Sequence, residues 1–146
     1  MKKDCVRVGD PVDLSIQSPI RGYLTLINIG TSGRYWLLSP HRYSGHAVRL
    51  DPGWTYEIPG KDLLPRERLW DDGFESVGAD AHLGEEGFVA FVTPKPLLNH
   101  DDARLLPEDL FWEVPDSLLA ELDAAFAAIP DDQKAVGTLR YQIVPQ

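Results

Sequence analysis

The strongest constraint on the fold is a hairpin written into residues 22–38. In "GYLTLINI", Leu24, Leu26 and Asn28 alternate with Tyr23, Thr25, Ile27 and Ile29, the period-two pattern of a strand. Both faces carry apolar residues, which predicts an interior strand of a sandwich. "GTSG" (30–33) then supplies glycines for a short connection, and "RYWLL" (34–38) returns antiparallel. Ser39 and Pro40 end that arm, because proline cannot donate to a ladder. Gly30 and Gly33 lie between two strands, not between a strand and a helix, so this is no phosphate-cradling loop of the dinucleotide type.

The flanking sequence continues in the same style. Val12, Leu14 and Ile16 alternate with polar residues ahead of the "SPIRG" break, where Gly22 serves the turn. "VRL", the turn "DPGW" (51–54) and "TYEIP" predict a second hairpin. "FVAFVT" (88–93) is apolar nearly throughout and predicts a central strand. Residues 60–86 show no sustained period, apart from a possible helical turn at Arg66–Trp70, and form an irregular insertion. One helix is expected at 116–129, capped by Asp116 or Ser117, with Leu118, Leu119, Leu122, Phe126 and Ile129 as its apolar stripe and Pro130 as its stop. A closing strand follows at 137–144. About seven short strands with regular turn signals predict a mainly β chain, an antiparallel Ig-like sandwich with one accessory helix. That helix is expected on a sheet edge or end, where it would block strand addition by other chains.

A chain of 146 residues with 43% hydrophobic residues makes one domain, residues 1–146, that folds without disulfides. Cys5 is the single cysteine, which excludes an internal disulfide and any multi-cysteine metal site. The N-terminus has no apolar run of a secretory signal, and no window approaches the roughly 18 apolar residues of a membrane span. The expected location is cytoplasmic. The formal net charge of −9 argues against nucleic acid as partner, since phosphate backbones repel an acidic surface, and favours solubility or a basic protein partner.

The stretch "VGDPVDLSIQSPIRGYLTLINIGTSGRYWLLSPHRY", followed by "IPG" and "FVAFVT", resembles a bacterial domain-of-unknown-function family over about residues 6–93. The chain departs from the family pattern at His41, where asparagine is common, at Ser39, where phenylalanine is common, and in the longer 60–86 segment. The resemblance implies a β-sandwich found alongside caspase-like peptidases, trypsin-like peptidases, protein kinases and tetratricopeptide proteins, in regulatory and defence assemblies. It implies no catalytic residues.

The reactive side chains support little chemistry. His41, His46 and Asp51 could surround a metal ion, but their spacing fits no strong motif. Ser39, His41 and Asp51 make a triad only on paper, because no nucleophile elbow surrounds Ser39. Cys5 with a histidine has no motif behind it. The reading is therefore no enzyme, no metal and no cofactor. Four tryptophans and neighbouring arginines instead suggest a protein interface. The candidates are His41, Arg42, Tyr43 and Arg49 in the loop after the hairpin, and Arg66, Arg68 and Trp70 in the insertion, while Trp36 and Trp112 are expected in the core. A small-ligand or carbohydrate module is the alternative and requires Tyr35, Trp36 or Trp54 side by side on a concave face. A minor hydrolase is the third.

Overall fold

The computed structural model describes residues 5–7, 14–30, 33–40, 47–58, 84–99, 102, 104–105 and 112–144. Within them lie strands β1 (Cys5–Arg7), β2 (Leu14–Ile16), β3 (Gly22–Ile29), β4 (Tyr35–Ser39), β5 (Arg49–Leu50), β6 (Tyr56–Ile58), β7 (Gly84–Thr93), β8 (Trp112–Val114) and β9 (Ala135–Val144), with one helix, α1 (Asp116–Ala127). Among the described residues the chain is mainly antiparallel β with a single α-helix and a closing strand, as the patterning predicts. The large sheet has seven strands in the order β1-β9-β7-β3-β4-β8, with β5 also on β3, and β2 and β6 form a separate two-stranded sheet. Every pairing is antiparallel except β1 with β9.

The hairpin of β3 and β4 is present, closed by Gly33 at φ 87°. A register shift follows Leu26, yet the alternation survives, because the extra residue lets Trp36 and Leu38 share a face with Leu24 and Leu26. That face gathers Leu24, Leu26, Trp36, Leu38, Leu50, Phe88 and Val92, with Ile16 and Tyr56 of the small sheet packed against them. The opposite face carries Ile27, Leu37, Phe91 and Val114 and is covered by Leu118 and Leu122 of α1. The large sheet is thus sandwiched unevenly, by two strands on one side and by the helix on the other.

Several expectations need correction. The predicted second hairpin does not form: Trp54 N–H donates to Asp51 O at 3.1 Å and Gly53 takes φ 88°, but this turn passes the chain from β5 in the large sheet to β6 in the small one. Gly22 serves space rather than the turn, because a Cβ there would stand 2.8 Å from Thr93 O and from Val92 Cγ1. Helix α1 covers a face, not an edge, because its apolar stripe meets the apolar face of β3, β4 and β7. It also starts without a side-chain cap, with Pro115 in the capping position and Asp116 in the first turn. Its end is earlier than expected, at Ala127, and β9 begins two residues before the predicted start. Residues 84–86 of the expected insertion belong to β7. The rest of that insertion lies outside the described residues.

Candidate functional site

The site with the most definite geometry is a groove on the small-sheet side of the large sheet. The floor comes from β3, β7 and β9. Register pairs Phe88 with Leu139, Ala90 with Gly137 and Val92 with Ala135, so these side chains share one face. In the middle of that floor stand Ala90, Ala135 and Gly137, all small, so the apolar surface dips between Leu26, Phe88 and Leu139. A Cβ built on Gly137 would meet nothing within 4 Å. The resulting cavity holds about 250 Å³.

The wall is the segment Ser15–Pro19, leaving β2. It is held by local bonds. The Ser18 hydroxyl donates to Ile20 O at 2.6 Å and accepts from Ile20 N–H at 3.2 Å. Gln17 Nε2 donates to Thr55 Oγ1 at 2.8 Å, tying the wall to β6. Ser18 is itself buried, so the wall is a fixed part of the fold.

The groove runs beside the outer edge of β9. β9 pairs with β7 along residues 135–143, but β1 covers its outer side only at 142–144. Among the described residues, 135–141 have no strand on that side. An open edge presents unpaired N–H and C=O groups, a template for another strand. Val136 stands 56% exposed on it. The stretch before the edge is acidic, with Asp131 and Asp132 in a short 3-10 turn. Lys134 approaches Asp131 at 3.7 Å but gives its ammonium to Phe126 O at 2.9 Å. At the other end Arg140 is matched by Glu85 at 2.7 Å.

Of the seven interface candidates, the structure places Arg49. Its side chain is half exposed and lies 3.9 Å from Asp51, which also accepts from Arg21 Nε at 2.5 Å. His41, Arg42, Tyr43, Arg66, Arg68 and Trp70 lie outside the described residues. The aromatic platform required by the carbohydrate alternative is not assembled. Trp36 is 6% exposed in the core, adjacent Tyr35 packs on the opposite face, and Trp54 lies apart from both at the Asp51–Trp54 turn, 62% exposed. Arg34 lies over the Trp36 ring at 4.5 Å and makes two 2.9 Å bonds to Glu113. That clamp holds the Glu113 carboxyl below its ordinary range, through the arginine bonds first and against partial burial. It joins the hairpin to β8.

Ser39 is 1% exposed, its hydroxyl has no partner, and Asp51 is taken by arginines. No cluster of three metal-ligating side chains occurs among the described residues. Among the described residues no helix is long and apolar enough to cross a membrane.

Sequence reasoning missed the groove. The signal was the run of small residues Ala90, Ala135 and Gly137 in otherwise bulky strands, visible only once β7 and β9 are set in register. The groove also joins two parts of the chain: its wall and the β3 and β7 part of its floor come from residues before 96, and β9 from beyond them. No curated protein and no solved structure matches the chain. Residues 5–96 match the model of a domain of unknown function, DUF4384, and the chain belongs to that family.

Proposed function

We propose that this chain is a non-catalytic protein-interaction module, an adaptor or inhibitor in a bacterial peptidase-linked or defence assembly. The observation that supports it is a preformed apolar groove beside the 135–141 stretch of β9, whose outer side carries no strand among the described residues. Both are surfaces that protein partners use. The groove is apolar and small beside ordinary small-molecule pockets of about 300 Å³ or more, and it has no convergent charged groups. The peptidase-linked setting and the cytoplasmic location rest on the resemblance and composition alone, and the acidic charge of −9 supports a protein rather than a nucleic acid.

Gly137→Leu tests the reading, because leucine would fill the groove from its own floor without displacing a neighbour. Tagged wild type and variant are expressed in the source bacterium and their bound proteins identified. A stoichiometric partner held by the wild type and lost by the variant is the expected result. A partner held equally by both, or none, overturns the reading. Trp70→Ala in parallel shows whether the insertion contributes.

A further inference from the structure

Apart from the groove, we propose a second contact surface at the Asp51–Trp54 turn, which takes a short acidic segment of a protein partner. Trp54 supplies the apolar contact, and Arg21 and Arg49 receive a carboxylate.

The turn holds its tryptophan in place. Proline at Pro52 restricts φ to about −65°, and Gly53 takes φ 88°, the combination that a type II turn requires. Trp54 N–H closes the turn on Asp51 O at 3.1 Å. The next residue, Thr55, accepts from Gln17 Nε2 at 2.8 Å, which anchors the turn to the segment after β2. Yet Trp54 itself is 62% exposed. The fold gains little from burying this ring and still presents it on a braced support. A large aromatic side chain held in this way loses little freedom when a partner covers it, which is the property of an interface anchor.

The charge beside the turn has a definite sign. Asp51 Oδ1 accepts from Arg21 Nε at 2.5 Å, while Arg49 Nη2 stays 3.9 Å away, beyond hydrogen-bond distance. One carboxylate therefore stands between two guanidinium groups whose side chains are 66% and 52% exposed. Neither arginine has a further partner among the described residues. Tyr23 pairs with Arg49 on one side and with Thr93 on the other, and exposed Lys95 follows Thr93 at the same end of the sheet. This end carries an excess of positive charge on a chain whose net charge is −9.

That contrast selects the partner. Guanidinium donors match a carboxylate in paired geometry. A long polyanion or an anionic membrane would also meet the negative remainder of the surface. A short acidic segment meets the arginines alone, because charges more than about 10 Å away are largely screened. An apolar residue next to its carboxylate would lie on Trp54.

The probe is a library of short random peptides displayed on phage and selected on the full chain. Selected sequences should be enriched in aspartate and glutamate beside an apolar residue. The commonest is synthesised and titrated by fluorescence polarisation, and its contacts are read by backbone amide NMR. Shifts should centre on residues 49–55. Affinity should fall roughly tenfold in Trp54→Ala and several-fold in Arg49→Gln, which keeps the Arg21–Asp51 bond. Glutamine in place of the peptide's acidic residues should weaken binding to a similar extent. Both variants should keep the wild-type melting temperature, since the changed side chains are exposed. Gly137→Leu should bind the peptide as the wild type does, so this surface and the groove stand or fall separately. Selection of no peptide, or of peptides without acidic residues, would overturn the proposal. So would an affinity that neither variant moves, or one lost in Gly137→Leu. Sedimentation with phosphatidylserine vesicles in the absence of peptide binding would assign the surface to a membrane instead. A dimer by light scattering that Trp54→Ala dissociates would assign it to a second copy, and either result overturns the acidic partner.

Discussion

Thr25 shows how far a single position can be argued from its surroundings. It is fully buried in the middle of β3, and its hydroxyl has no hydrogen-bond partner. A buried hydroxyl of this kind costs desolvation without return. Thr25→Val keeps the shape and removes the polar atom, so urea denaturation should show a gain of about 1 kcal/mol. Gly22 has the opposite prospect. The oxygen of Thr93 that a Cβ would meet belongs to the backbone and cannot swing away, so Gly22→Ala should lose about 1–3 kcal/mol in the same assay. Asn28 was legible as sharing a face with Leu24 and Leu26. Its role was not, because Nδ2 donates to Glu86 Oε1 at 3.0 Å and to Gly87 O at 3.1 Å across 58 and 59 residues. Glu86 read locally as the tail of an irregular segment, and only the sheet explains why a carboxylate is 1% exposed there.

The ends of α1 depend on residues outside it. Lys134 donates to Phe126 O at 2.9 Å and lies 4.7 Å from the Phe126 ring. A cation at the last carbonyls of a helix opposes the negative end of its dipole. Lys134→Ala should therefore destabilise the chain by about 1 kcal/mol, read as a lower melting temperature. A second attachment runs from Asp102 through Arg104 to Glu121 on the helix. Arg104 donates to Asp102 from its backbone at 2.9 Å and from Nε and Nη2 at 3.0 and 2.8 Å. Those bonds hold the Asp102 carboxyl at about 2, below its ordinary 3.8. Since the folded value is the lower one, the stabilisation is complete above pH 3.8 and is lost as pH falls through about 2. Wild type should exceed Asp102→Asn in stability at pH 6, modestly because the pair is partly exposed, and the two should converge near pH 2. A constant difference across that range would exclude the carboxylate as the cause.

At the scale of the molecule, the decisive feature is which surfaces of the seven-stranded sheet are covered. Among the described residues α1 covers one face and β2 with β6 cover part of the other, which leaves the groove and the outer edge of β9 at 135–141. Hydrogen exchange can read this arrangement directly. β3 has β7 along one side and β4 and β5 along the other, so its amides should be slow. Along 135–141, amides directed at β7 should be slow and those directed outward fast, in alternation. Uniform protection would mean that the edge is covered. Gly137→Leu should leave stability unchanged or raise it by a few tenths of a kcal/mol, because glycine weakens a strand and the space above it is empty. A marked loss would show that the floor has no room and would remove the groove from consideration.

The sequence by itself determined the strands that carry their pattern locally. Period-two runs and their turn residues place β3, β4, the Asp51–Trp54 turn, most of β7 and the start of α1, since φ, ψ and side-chain alternation are set by near neighbours. What only the tertiary structure decided is everything that depends on pairing at long range. The exchange of β6 for β5 as the partner of a turn is one case. The placement of α1 on a face is another, and the alignment of Ala90 with Gly137 into a groove beside an open edge is a third. The physical reason is that hydrogen bonding between strands is indifferent to sequence distance. Which strands meet is settled by the burial of whole faces, a quantity no local window contains.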